Sequence, residues 1–237
     1  MKIAINIIAT NKYLYFLEKL LNSIYSNFDD SHDISVVVYT NKEIPESIKN
    51  GKANVRIIKS EIEHENWPYT TLKRFEYFMS ESDFLLECDY CSYIDADSTF
   101  ISRVGDVIFP ESGMVGTIHP CLYNGPGTPE RNPASKAFIP HGSNNRYYCG
   151  GFFGGSALDF VNMSRSIRDN INDDLSRNII AVWHDESHIN KYFYENPPAV
   201  TLEPPFAVAE GLTEIKEDSK VLFLDKNLIG GHEFFRN

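Results

Sequence analysis

Positive charge is scarce in this chain: 22 Lys and Arg stand against 33 Asp and Glu, for a net charge of −11. No cluster gathers the basic residues, so an extended polyphosphate such as DNA or RNA is not an expected partner. A single nucleotide diphosphate stays open, because one cation and one or two basic side chains can neutralise it. Long apolar runs are missing too. The first segment, Met1 to Ala9, is too short for a signal peptide or a spanning helix and has Asn6 in its middle. No membrane span and a cytoplasmic location are therefore expected. The four cysteines, Cys88, Cys91, Cys121 and Cys149, do not form a disulfide framework, and reduced thiols are expected. Cys88-x-x-Cys91 has neither a second close pair nor a nearby His, which argues against zinc there. A G-x-G-x-x-G fingerprint, an internal repeat and a Gly/Ser linker are all absent.

What is present suits one continuous domain. The 237 residues, 42% hydrophobic and 23% charged, are enough to bury a sizeable core. Lys2 to Ala9 is a near-continuous apolar run, as expected of a central parallel strand covered on both faces. Leu14, Leu17, Leu21 and Ile24 follow at helical spacing, and strands are expected at Ile34 to Tyr39 and Val55 to Lys59. Leu72, Phe75, Phe78 and Met79 mark another helix, and Tyr90 to Ile94 a further strand. This alternation predicts an α/β fold with a Rossmann-like first half. From about Gly113 the chain changes to short apolar stretches rich in Gly, Pro and aromatics. Residues 124 to 146 form a long polar excursion of the kind that often serves as a functional lid.

Asp95-Ala96-Asp97 closes the apolar run Tyr93-Ile94. If that run is a buried strand, both carboxylates emerge at its carboxyl end, where open α/β sheets bind their ligands. Period-two geometry puts Asp95 and Asp97 on one side and turns Ala96 away. Two carboxylates on one side suit a hard divalent cation such as Mn²⁺ or Mg²⁺, with a substrate diphosphate completing the shell. Acid pairs at strand ends also occur as plain solvated turns, and the motif alone leaves both readings standing.

Two further clusters stand out. Trp183 to Tyr192 packs a Trp, two His and two acids into six residues. Acids at a helix start complement the helix dipole, which accounts for Asp185 and Glu186 but not for their neighbours. His184 and His188 lie at i and i+4, as two zinc ligands would, with Glu210 as a conceivable third. This zinc-hydrolase alternative puts Asp185 where the H-E-x-x-H pattern has Glu, too short for the usual general base. It also leaves Asp95 and Asp97 idle. Tyr148 to Ser156 sets paired glycines around two aromatics, read either as close approach of backbone to a ligand or as a bend or bulge. Taken alone, His119 after Gly116-Thr117-Ile118 is an ordinary hydrogen-bonding His, and Arg74 an ordinary helix charge. A non-catalytic carbohydrate-binding module is a third class, suggested by 13% aromatics, although aromatics at this level usually serve the core.

Trp67-Pro68-Tyr69-Thr70-Thr71-Leu72-Lys73-Arg74, Tyr93 to Asp97, Gly116 to Pro120, Tyr148 to Ser156 and Trp183 to Tyr192 together resemble glycosyltransferase family six. That family includes the histo-blood-group A and B enzymes and α-1,3-galactosyltransferase. The resemblance implies a GT-A fold over residues 1–237, with a nucleotide-binding half at about 1–112 and an acceptor-binding half and closing tail at about 113–237. It also implies a bare catalytic domain of the bacterial or viral type, without the anchor and stem of the animal Golgi enzymes. The implied reaction is retaining α-1,3 transfer of N-acetylgalactosamine or galactose from a UDP-sugar to a β-galactoside oligosaccharide, often fucosylated.

Carried across residue by residue, the resemblance assigns Asp95 and Asp97 to Mn²⁺ and the UDP diphosphate, with Ala96 between them in the donor site. Ile8, Thr10 and Tyr13 fall where the family packs uracil and ribose, Ile8 and Thr10 by position only. Arg74 and Asp185 would bond the donor sugar, and Lys226 would close over the diphosphate, with the tail Gly230 to Asn237 ordering on UDP. Glu186 would sit under the anomeric carbon, where a carboxylate can stabilise or attack oxocarbenium character. His119, Thr128, Trp183 and Glu186 would line the acceptor site, and Glu210 is a guess at another acceptor contact. Cys149 and Gly151, flanking Gly150, stand where the family decides whether an acetamido group fits. Gly151 leaves room, which favours UDP-N-acetylgalactosamine; Cys149 departs from the family's usual residues.

Overall fold

A computed structural model of the chain describes residues 1–49, 51–142 and 146–236. β1 (Lys2–Ile8), β2 (Asp33–Thr40), β3 (Val55–Glu61) and β4 (Tyr90–Ile94) are parallel, with α1 (Leu14–Asn27) crossing from β1 to β2. Between β3 and β4 run α2 (Tyr69–Leu72), α3 (Arg74–Ser80) and α4 (Ser82–Leu85). The single helix expected through Leu72 and Met79 is therefore two pieces parted at Lys73, and Arg74 opens the second piece as a buried residue. Next come β5 (Ser98–Phe100), β6 (Met114–Ile118), β7 (Tyr148–Ser156), α5 (Ala157–Ser176) and α6 (His184–Glu195). β8 (Val200–Leu202), β9 (Val208–Ala209), β10 (Val221–Phe223) and α7 (His232–Arg236) complete the chain.

The described residues build a seven-stranded sheet in the order β3-β2-β1-β4-β7-β6-β8, with β7 antiparallel to both neighbours, and a three-stranded sheet β5-β10-β9. Alternation along β1 explains its nearly continuous apolar sequence, broken inside only by the buried Asn6. Ile3, Ile5 and Ile7 pack with Leu17, Leu21 and Ile24 of α1, whereas Ala4 and Ile8 pack on the opposite face with Phe75, Phe78, Phe153 and Phe160. A strand covered on both faces has no position for a solvated side chain. The chain runs outward from β1 to β3 and then returns to β4 on the other side of β1. Such a reversal leaves a crevice at the carboxyl ends of β1 and β4, the expected ligand position in an open α/β sheet.

The glycine-rich Tyr148–Ser156 segment is a nine-residue strand with a bulge against β6: Gly116 pairs with Phe153 and Ile118 with Tyr148, so the four residues Cys149–Phe152 stand opposite Thr117 alone. Glycine is needed where aromatic side chains fill the space. A Cβ on Gly154 would stand 2.1 Å from the Tyr90 hydroxyl, and one on Gly116 would stand 2.7 Å from the Tyr148 ring. α5 starts at Ser156, whose hydroxyl accepts the Asp159 N–H at 3.2 Å, the capping pattern of a serine three residues before an acid.

Within the excursion between β6 and β7, residues 130–139 are docked against α5 and the approach to α6. Ala137 and Ile139 are fully buried. Asp174 of α5 accepts the Ser135 hydroxyl at 2.5 Å, the Lys136 N–H at 2.8 Å and the Arg177 guanidinium at 2.6 Å. Glu130 accepts the Val182 N–H at 2.7 Å. The C-terminal segment packs as well: Phe235 lies 4.8 Å from the Phe16 ring and 5.6 Å from the Tyr13 ring. Asn237, the last residue of the expected closing tail, lies outside the described residues. Among the described residues no helix is long and apolar enough to cross a membrane.

Candidate active site

The crevice at the ends of β1 and β4 is the cavity that gathers the chemistry. Ile8, Thr10 and Tyr13 line one side, Tyr93, Asp95, Ala96 and Asp97 the floor, and Arg74 and Lys226 the remaining walls. Sequence had singled out all of these except Tyr93. It missed His64, whose Nδ1 is 3.0 Å from the Thr10 hydroxyl, and Thr70 and Thr71, which line the same space. A His in an irregular polar stretch carries no periodicity to mark it.

Arg74 is the hub. Its side chain is 6% exposed, 3.2 Å from an Asp185 oxygen and 3.6 Å from an Asp95 oxygen. It donates to the Gly150 carbonyl, and its guanidinium lies 4.0 Å over the Tyr93 ring. Burial alone favours a neutral guanidinium, but Asp185, Tyr93, Asp95 and Glu186 outweigh it and hold the charge more firmly than in water. One side chain thus joins α3 to the acid turn after β4, to β7 and to the start of α6.

The two acids of Asp95-Ala96-Asp97 do not lie on the strand, as period-two geometry had placed them. β4 ends at Ile94, and the motif is the turn leading into β5. The turn is pinned from both sides: Asp95 N–H donates to the Gly151 carbonyl at 2.9 Å, and Leu224 N–H donates to the Asp97 carbonyl at 2.8 Å. Both carboxylates still reach the cavity, while Ala96 packs into the core. Asp95 accepts the Tyr93 hydroxyl at 2.6 Å. Burial raises its pKa; Arg74 pulls it down and the Asp97 charge pushes it up. Asp97 pairs with the Lys226 ammonium. The set is all oxygen, which fits a hard divalent ion, and the Lys226 ammonium stands at the Asp97 oxygen that such an ion would share. Two carboxylates fall short of the roughly six oxygens such an ion takes. Diphosphate and water oxygens would supply the others.

Glu186 stands in the first turn of α6 with both oxygens engaged. Gly150 N–H donates to Oε2 at 2.8 Å and the Tyr147 hydroxyl to Oε1 at 2.8 Å. Burial pushes its pKa up to about 7, against the downward pull of those two bonds. Burial likewise pushes Asp185 up to about 6, with Arg74 opposing. The register between α6 and β7 is set by Asn190: its amide oxygen accepts Tyr148 N–H at 2.8 Å and its NH₂ donates to the Tyr148 carbonyl at 2.8 Å.

A positioned carboxylate, a buried Arg and an acid turn thus meet at a sheet switch point. The family model described as "Glycosyltransferase family 6" matches residues 1–225 of this sequence. The chain belongs to glycosyltransferase family 6. It is similar to "Histo-blood group ABO system transferase 1" of Rattus norvegicus, 30% identical over 245 aligned residues, covering 99% of this chain and 68% of that one. It is equally similar to "O-antigen biosynthesis glycosyltransferase WbnI" of Escherichia coli, 30% identical with 95% of each chain covered. "Globoside alpha-1,3-N-acetylgalactosaminyltransferase 1" of Homo sapiens is 27% identical over 86% of this chain and 60% of that one. The protein is a transferase of the GT-A fold, and the α/β architecture expected from its sequence is present.

Within this family-6 glycosyltransferase the remaining singled-out residues separate into two groups. His119 packs its ring 5.9 Å from that of Tyr147, and Thr128 neighbours the Tyr147 hydroxyl, so both lie near Glu186. Trp183 precedes α6 with its side chain half exposed. Cys149 is buried on β7, and burial pushes its thiol up to about 12. Glu210 is apart from the others: its carboxylate accepts Asp225 N–H at 2.8 Å and lines a separate cavity beside α1. The zinc alternative fails on geometry as well as on family. His184 sets its ring 4.7 Å from that of Trp67, whereas His188 is buried against Asp174, 3.6 Å away, and burial drops its pKa to about 4. Among the described residues no three His, Cys, Asp or Glu are grouped to hold a metal ion without help from a substrate.

Proposed function

We propose that this glycosyltransferase catalyses retaining α-1,3 transfer of N-acetylgalactosamine, or galactose, from a UDP-sugar to a β-galactoside, using a divalent cation, Mn²⁺ or Mg²⁺. The reading rests above all on the convergence at Arg74 of Asp95, Asp185 and the Gly150 carbonyl. Those contacts put the acid turn, the glycine strand and the Glu186 segment around one space. Residues 1–112 act as the donor half and 113–237 as the acceptor half.

In this reading Ile8, Thr10 and Tyr13 receive the uridine, and Asp95 and Asp97 hold the cation against the diphosphate. When bound, the cation offsets charge growing on the departing diphosphate. Lys226 adds a second positive charge from the C-terminal segment. Arg74 and Asp185 orient the sugar. As its bond to the diphosphate oxygen breaks, the anomeric carbon becomes electron-poor, and the Glu186 carboxylate stabilises it. His119, Thr128 and Trp183 present the acceptor, whose oxygen forms the new bond and whose hydroxyl proton is released.

A UDP-release assay with UDP-N-acetylgalactosamine or UDP-galactose, and 2′-fucosyllactose as acceptor, tests this reading. Release should need Mn²⁺, stop with EDTA, and fall by about 100-fold or more in Asp97→Asn. Release indifferent to EDTA would remove the role given to Asp95 and Asp97. Donor choice is tested at Gly151. An added Cβ there would stand 2.9 Å from an Asp95 oxygen and 2.6 Å from the Phe223 ring edge. Gly151→Ala should therefore shift preference toward UDP-galactose and also lower turnover with both donors, because Asp95 must move. Unchanged donor ratios in kcat/KM would count against steric selection at this position.

A further inference from the structure

Tyr147 has none of the roles assigned so far, yet it is the side chain most tightly bound to Glu186. It immediately precedes β7 and is 1% exposed. Its ring fills a pocket between His119 and the backbone of Gly127, where an added Cβ would come within 2.2 Å of it. Its hydroxyl donates to Glu186 Oε1 at 2.8 Å. A phenol has a single proton to give, and here it goes to that carboxylate.

The consequence for Glu186 is rotational. The terminal torsion of a glutamate is broad and poorly restrained by itself. Here Gly150 N–H takes one oxygen and Tyr147 the other, so the carboxylate plane is held from two sides. Attack or stabilisation at a sugar carbon requires an oxygen aimed within a few tenths of an ångström. We propose that Tyr147 is a positioning residue for Glu186: its hydroxyl proton, with the Gly150 N–H on the other oxygen, fixes the orientation of that carboxylate toward the donor sugar. The inference rests on the transferase reading of Glu186. It also gives the 119–147 excursion a direct connection to the reacting centre, since Tyr147 closes it.

Tyr147→Phe tests the proposal, because it keeps the ring and its packing and removes only the hydroxyl. The kcat for UDP release should fall about 10- to 100-fold, the size of one charge-assisted hydrogen bond. KM for the UDP-sugar should stay within about twofold, and the melting temperature close to the parent's. The acid limb of the pH profile should move to higher pH. Glu186 would then be left facing Asp185, Arg74, Cys149 and Gly150 N–H without the bond that favours its charged form. In a Glu186→Gln background, Tyr147→Phe should cost nothing further. If Glu186→Gln abolishes turnover while Tyr147→Phe leaves kcat and the pH profile unchanged, the positioning role is overturned and the transferase reading stands. If both variants keep full turnover, the assignment of Glu186 itself falls.

Discussion

Glu186→Gln is expected to lower turnover by about 10³-fold or more while leaving UDP affinity within about twofold. Gln keeps the shape and one acceptor oxygen but cannot carry the negative charge that meets the electron-poor sugar carbon. The same variant should change stability in a pH-dependent way. Burial holds the Glu186 pKa at about 7 against an ordinary 4.5. The folded chain therefore binds more protons than the unfolded chain between those two values, and stability falls as pH rises through that window. Above about pH 7 the deficit is complete, on the order of 3 kcal/mol. Gln removes it, less the strain of turning an NH₂ toward Tyr147 or Gly150 N–H. The melting temperature of Glu186→Gln should exceed the parent's by about 3–6 °C at pH 8, and the difference should vanish near pH 4, where Glu186 is protonated in both states. Thermal unfolding at the two pH values measures this. A variant less stable than the parent at pH 8 would contradict the account of Glu186 as a carboxylate held charged at a cost. Burial also predicts the parent's activity profile, in which kcat/KM should decline on the acid side with a midpoint near 7.

Arg74→Met should have the largest effect on folding. The buried guanidinium is the counter-charge for Asp185, 3.2 Å away, and for Asp95, 3.6 Å away. Removing one partner of a buried pair leaves an uncompensated charge and costs about 3–5 kcal/mol. Asp185, already at about 6 with Arg74 in place, should titrate higher without it. The loss should therefore be greatest at pH 8 and shrink toward pH 5 as Asp185 takes up its proton. Urea unfolding across that range gives the slope. Arg74→Lys should fold, because it keeps the charge, and yet lose about 100-fold in turnover, because an ammonium cannot serve Asp95, Asp185 and the Gly150 carbonyl in one planar fork. Full activity in Arg74→Lys would show that charge alone suffices there.

Much of this could be read from residues close together in the chain. The near-continuous apolar run of β1 identified a strand covered on both faces. The spacing of Leu14, Leu17, Leu21 and Ile24 identified α1, four residues that face one layer of core. The Asp95-Ala96-Asp97 and Trp183–Tyr192 motifs identified a glycosyltransferase. Where periodicity was the only guide it erred locally. The helix through Leu72 is two pieces, since the chain turns at Lys73 and carries Arg74 inside. The acid pair is a turn fixed by Gly151 and Leu224, neither of them near it in sequence.

By itself, then, the sequence determined the α/β layering, the place of the acid motif at the end of a central strand, and the family. Each of these depends on local pattern, apolar period or a contiguous motif. Only the tertiary structure decided which charges meet. Arg74 joins acids that lie 21 and 111 positions further along the chain, Tyr147 reaches Glu186 across 39, and Glu210 braces the turn at Asp225. Such pairings depend on how strands and helices pack in three dimensions. A buried charge is costly alone and tolerable when paired, so the packing that buries Arg74 also selects the acids beside it.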